Sequence, residues 1–255
     1  MIRRLLTLLI ALLCLGTANA QQNWGGGVDD EQLHFGFTFQ YVSSEYKIFK
    51  RPDWRVPRYD PISNPASPTM VTDSLFSISS PSSPGFGLGF VTDYKLGNNA
   101  NLRFTPALVF TDRLIDYNYA PSAGPESGTT ENFTQKKVQA TMIDFPLGIK
   151  LKSDRRKNFR AYMLAGAKYS LDIVSKKKLD DSSLSMSERL VKNTRSILWY
   201  EAGIGFDLYF EFFKLSPELK LSNSFRNVLK PEGHPYSAPI DKLFLRNLQF
   251  SLYFE

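Results

Sequence analysis

Residues 248–255, Leu-Gln-Phe-Ser-Leu-Tyr-Phe-Glu, place Leu248, Phe250, Leu252 and Phe254 on one face of an extended chain and Gln249, Ser251, Tyr253 and Glu255 on the other. Period-two alternation of this kind marks a strand that is apolar on one side and polar on the other. The pattern recurs along the chain. Leu33, Phe35, Phe37, Phe39 and Tyr41 alternate with His34, Gly36, Thr38 and Gln40 in 33–42. In 85–94, Phe86, Leu88, Phe90 and Tyr94 oppose Gly85, Gly87, Gly89 and Asp93. In 101–110, Leu102, Phe104, Leu108 and Phe110 oppose Arg103, Thr105 and Ala107. Further strands are read at 143–151, 159–171, 200–210 and 213–221, the one at 159–171 with apolar residues on both faces.

With the opening example these make eight strands, an even number at the small end of the range for bacterial outer-membrane barrels. The connections alternate in length. Short links follow 94, 151 and 210, and long ones fall at roughly 45–84, 112–137, 172–197 and 223–242. Short turns at one end and long loops at the other are the plan of a transmembrane barrel, with tight periplasmic turns and extended outer loops. The expected fold is therefore all-β, an eight-stranded antiparallel up-and-down transmembrane barrel. A soluble lipocalin-like barrel shares the strand count and would turn its greasy face inward. Against it stand the charged residues of the minority face, Arg103, Asp144, Lys150, Glu201, Glu218 and Lys220, and the load of Phe and Leu on the other.

Hydropathy alone misses such a protein. Mean hydropathy is −0.25, and no stretch after residue 20 approaches the roughly 18 apolar residues of a membrane helix. Aromatic residues nevertheless make up 14% of the chain, with Phe at 20 and Tyr at 12. Residues 1–20 carry Arg3 and Arg4, an apolar run, and an Ala18-Asn19-Ala20 cleavage site, the layout of a secretory signal peptide. The expected organisation is signal peptide 1–20, periplasmic segment 21–32, and one barrel domain over 33–255. Cys14, the only cysteine, lies in the leader, so no disulfide is expected. Without the two leader arginines, Lys+Arg falls from 31 to 29 against 25 Asp+Glu. A net charge of +4 is too mild to argue for nucleic acid.

Chemistry-bearing residues are sparse. His34 and His234 are the two histidines, and no Ser/His/acid constellation, metal cluster or phosphate-binding glycine loop is legible. No catalytic residue, metal or cofactor is expected, and no small-molecule substrate. An eight-stranded barrel is filled by its own side chains, so Arg103, Asp144, Lys150, Glu201, Glu218 and Lys220 are expected to pair across the lumen as a charge network. Glu201, Glu218 and Lys220 as a binding site is the alternative. The first long loop holds seven of the 15 prolines. Its Trp54, Arg55, Arg58 and Tyr59 are of the residue types that anchor interfaces, which makes them a candidate partner contact. Asp112 and Arg113 are read as an ion pair at a loop base.

The strings PGFGLGFVTDYKL, LRFTPALVFTDRLIDY, DFPLGIKLKS, YEAGIGFDLYFEFFKLSPELKLS and SAPIDKLFLRNLQFSLYFE resemble the PorT family, also called SprT, over about residues 33–255. FTDRLIDY and FDLYFEFFKLSPELK are the most specific of them. Members of that family are outer-membrane barrels of the type IX secretion and gliding-motility system. The resemblance implies an outer-membrane location and a non-enzymatic, accessory part in protein export. Its implied partners are outer-membrane lipids and other secretion-system proteins. A structural or adhesive barrel of the OmpX kind, with no transport role, is the alternative.

Overall fold

The computed structural model describes residues 31–59, 70–120, 133–173 and 189–255. Residues 1–30, and with them the leader, the periplasmic segment and Cys14, lie outside the described residues. Twelve strands are described: β1 (Leu33–Lys50), β2 (Arg58–Tyr59), β3 (Met70–Thr72), β4 (Leu75–Ser79), β5 (Ser83–Lys95), β6 (Ala100–Phe104), β7 (Ala107–Tyr119), β8 (Phe133–Lys152), β9 (Phe159–Asp172), β10 (Ser196–Tyr209), β11 (Lys214–Ser224) and β12 (Ile240–Phe254). All barrel pairings are antiparallel between neighbours, and β1 pairs with both β5 and β12, which closes the sheet into an eight-strand ring. β6 and β7 together make one ring position. They separate at Thr105-Pro106, where proline has no N–H to give to a ladder. The Pro106 carbonyl still accepts from the Phe90 amide at 2.9 Å.

The greasy faces point out. Phe35 is 67% exposed, Phe90 70% and Met163 58%, and with Phe37, Phe39, Leu88, Ile149, Ile204, Phe206, Leu219 and Phe250 they form a contiguous outer band. A soluble protein does not leave a band of that size in water; lipid covers it. The polar faces point in, which removes the lipocalin-like alternative.

The strands are longer than the alternation suggests. β8 has 20 residues and β1 has 18, about twice the 9–11 that a tilted membrane strand needs. Their side chains alternate in and out over the whole length, but the chemistry inverts halfway. On β8 the outward residues are apolar from Ile143 to Leu151 and polar from Gln135 to Thr141, while the inward ones run Lys152, Lys150 and Asp144 below and Met142, Ala140 and Val138 above. On β1 the change comes between Tyr41 and Ser43, and on β12 between Leu248 and Arg246. Below that level the barrel is an inside-out membrane domain. Above it the barrel is built like a soluble protein, with an apolar interior and a wet exterior.

Much of what alternation assigned to loops is therefore strand. The link predicted at 112–137 contains the upper halves of β7 and β8, and that at 45–84 contains the end of β1 together with β4, which pairs with the top of β7. The three short turns and the four long connections do lie at opposite ends, as the length alternation predicts. The apolar core sits in the outer half of the barrel interior, around Trp199, Ile115, Tyr117, Leu243 and Leu245. Val191, Val228, Leu229 and Tyr236, from the connections, fold down into it and close the mouth.

Candidate functional site

Polar residues at alternate positions of seven ring positions converge in the lower half of the lumen. Arg103 on β6 is the hub. Its Nε and Nη2 donate to the two oxygens of Asp93 on β5 at 3.1 and 2.7 Å, Nη2 also reaches Glu255 Oε1 at 2.8 Å, and Nη1 reaches Glu218 Oε2 at 3.3 Å. This forked geometry suits a guanidinium and would not suit an ammonium. Glu218 on β11 further accepts from the Tyr162 and Tyr253 hydroxyls at 3.0 and 3.1 Å and pairs with Lys220 at 3.3 Å. Lys220 also meets Glu201 at 3.3 Å. Lys150 donates to Asp207 at 2.8 Å, and the Ser216 hydroxyl donates to the same oxygen at 2.6 Å. Lys214 pairs with Glu255.

One level higher, Lys168 pairs with Asp144 at 2.9 Å, its ammonium 4.6 Å from the Trp199 ring centroid. These charges are buried: the side chains of Asp93, Lys150 and Glu218 are fully covered. A buried charge is tolerated only when paired and hydrogen-bonded, and each of these is. The structure thus brings Arg103, Lys150, Glu201, Glu218 and Lys220 into one network and sets Asp144 apart with Lys168. Asp93, Asp207, Lys214 and Glu255 complete the network, and sequence reasoning did not single them out as members. Each stands on the polar face of its strand, which is the signal that was available.

Asp112 and Arg113 do not pair with each other, contrary to the sequence reading. They are successive residues in the middle of β7, so they point to opposite faces. Asp112 faces out and meets Lys137 of β8 at 2.7 Å. Arg113 turns into the lumen, fully buried, with Nη2 2.8 Å from the Met142 sulfur.

The first loop holds its four candidate contact residues at different depths, with Arg55 and Tyr59 exposed and Trp54 and Arg58 partly covered. Trp54 is half-buried against the outer core, with the Lys50 ammonium 4.2 Å and the Arg55 guanidinium 4.9 Å from its ring centroid. Arg58 donates to both the side chain and the backbone carbonyl of Asp53, at 2.9 and 3.0 Å, and holds that carboxyl below the usual carboxylate range. Trp54 and Arg58 are thus engaged within the protein. Tyr59 on β2, Met70 on β3 and Val56 just before β2 are left exposed.

The two histidines lie at opposite ends. His34 is on the inner face of β1, opposite Asp93. His234 is buried in the mouth, its Nε2 3.7 Å from Glu232. The nearby Ser237 hydroxyl donates to the backbone carbonyls of Glu232 and His234, so its proton is committed to the turn. Among the described residues, no group of three or more His, Cys, Asp or Glu side chains is placed to hold a metal ion.

The profile of the family described as "outer membrane protein beta-barrel domain" matches residues 20–230. No curated protein matches the chain. Among solved structures, the chain is similar to Ail, the attachment invasion locus protein of Yersinia pestis, in complex with the heparin analogue sucrose octasulfate. The two are 11% identical, the match covers 88% of this chain and 99% of Ail, and the TM-score is 0.36. It is also similar to Neisserial surface protein A, at 9% identity over 88% of this chain and 98% of that one, with a TM-score of 0.39.

Proposed function

The chain belongs to the outer membrane β-barrel domain family and sits in the outer membrane, and from that premise we propose that it is a non-enzymatic accessory barrel of type IX protein secretion. It acts through protein contacts at its outer end and is not the conduit. The observation that carries the accessory role is the filled interior. In the lipid-facing half the lumen is occupied by the Arg103–Glu218 network, and in the outer half by the core around Trp199 and Tyr236. Cargo has no path through such a barrel. What the protein offers instead is a rigid stem that lifts the β2–β3 strand pair, with exposed Tyr59 and Met70 and with Val56 just before it, above the membrane surface. The assignment to type IX secretion rests on the PorT-like strings. A single barrel over 33–255 behind a removable leader, and a purely structural lumen network, belong to the same proposal.

The test is a strain lacking the gene, complemented with the intact gene. Type IX cargo retained in the periplasm and released on complementation is the expected result. Normal export would overturn the secretion role and leave a structural or adhesive barrel.

A further inference from the structure

The outer surface just above the lipid band is not uniform around the barrel. Where β1, β12, β11 and β10 run side by side, a groove of about 380 Å³ opens outward. Two edge-to-face aromatic pairs wall it, Phe49–Phe244 with ring centroids 5.7 Å apart and Tyr200–Phe225 at 5.1 Å. Lys47 and Arg246 line it between them. Arg246 makes two long contacts, Nε to Asn223 Oδ1 at 3.4 Å and Nη1 to Glu45 Oε1 at 3.5 Å, and the Arg246 and Glu45 side chains are substantially exposed, at 51% and 39%. Lys47 rests 5.3 Å from the Phe49 ring centroid and makes no ion pair among the described residues.

Immediately below, Leu221 and Leu248 face outward into lipid. Any occupant of this groove therefore meets cations at its top and an apolar surface at its foot. A second outer groove, of about 330 Å³, lies between β5, β7 and β8; Phe86, Phe110, Asp112 and Gln139 line it, and no basic residue does. Its acid is already held by Lys137 at 2.7 Å. Of these two grooves, the one between β1 and β10 is the one lined by cations.

A lysine 5.3 Å from an aromatic ring centroid and an arginine lining the same groove, at headgroup height, match a phosphate ester joined to acyl chains. The phosphate takes charge-assisted hydrogen bonds from both cations, and the aromatic pairs pack against the adjoining methylenes, as aromatic belts do at membrane interfaces. We propose that this groove seats the phosphorylated headgroup of an outer-leaflet glycolipid, with Lys47 and Arg246 on its phosphate.

The experiment places the full chain in phosphatidylethanolamine nanodiscs doped with bisphosphorylated lipid A, or with the same glycolipid after enzymatic removal of its phosphates. Retained glycolipid per barrel is counted by native mass spectrometry. A surface cation contributes about 1 kcal/mol toward an anionic lipid, which is roughly fivefold in affinity. Lys47→Gln and Arg246→Gln should each weaken retention about fivefold, and the double variant about 25-fold. Asp112→Asn with Lys137→Gln, on the opposite side, should leave it unchanged. The single variants carry the test if the double variant does not assemble, as judged by heat-modifiable migration. Equal retention of the phosphate-free glycolipid, or unchanged retention in the lysine and arginine variants, overturns the proposal. So does full displacement by millimolar inorganic phosphate, which would identify a free-anion site, or a lipid-independent dimer that occupies the groove.

Discussion

Glu218 accepts from Arg103, Lys220, Tyr162 and Tyr253 at 3.0–3.3 Å, and its side chain has no exposed surface. Replacing it with leucine leaves two buried cations short of a counter-charge, and breaking a buried pair from one side costs about 3–5 kcal/mol. Glu218→Leu should therefore lower the temperature at which the barrel loses its folded gel mobility, and an unchanged transition would show that the network does not hold the lumen together. Gly205 belongs to the same arrangement, because a Cβ there would strike the Tyr162 ring and come within 2.5 Å of its hydroxyl. Gly205→Ala should push Tyr162 off Glu218 and destabilise in the same direction. Gly97→Ala, which meets nothing within 4 Å, should be neutral. The alternation of the sequence was enough to place Arg103, Lys150, Glu201, Glu218 and Lys220 on lumen faces. It could not say which of them meet, because face membership carries no information on height along the axis or on distance across the ring. Tyr162 was hidden for a different reason. An aromatic residue in 159–171 reads as greasy, yet here its ring packs inward and its hydroxyl serves the network.

At the scale of the strand, the instructive feature is the inversion of polarity. The lower halves were legible because lipid demands apolar residues at every outward position. The upper halves of β1, β7 and β8 keep the same alternation in geometry, but their outward residues, such as Glu45, Asp112, Asp116 and Lys137, read as loop chemistry. That is why Asp112 and Arg113 were placed at a loop base and paired, when a strand puts them on opposite faces. The upper core also recruits the 225–239 connection. The Tyr117 hydroxyl, fully buried on β7, donates to the Tyr236 backbone carbonyl at 2.7 Å. Removing that hydroxyl costs about 1 kcal/mol, and it acts on the connection rather than on the ring. Tyr117→Phe should speed proteolysis within 225–239 on intact cells and leave the heat-modifiable transition of the barrel in place. If the cleavage rate does not change, the connection is held by other contacts.

The whole molecule is two constructions on one set of strands: an inside-out domain in the lipid, with charges at its centre, and an ordinary apolar-cored domain standing on it in water. The same strands run through both without a break, so any partner that grips the outer part grips the membrane part as well. Among the described residues the charge network occupies the lower lumen and the apolar core the upper, and the proposed role accordingly places function at the outer surface and its rim. Single-cysteine scanning along β8 with a membrane-impermeant maleimide tests this arrangement most directly, since the chain has one cysteine, Cys14, which Cys14→Ser removes. On intact cells, cysteines at Gln135, Lys137 and Gln139 should label, those at Phe145, Leu147 and Ile149 should be shielded by lipid, and those at Val138 and Ala140 should be shielded by the core. Labelling at Val138 and Ala140 would reveal a water-filled interior, and protection at Lys137 and Gln139 would place the membrane where the outer domain is said to stand.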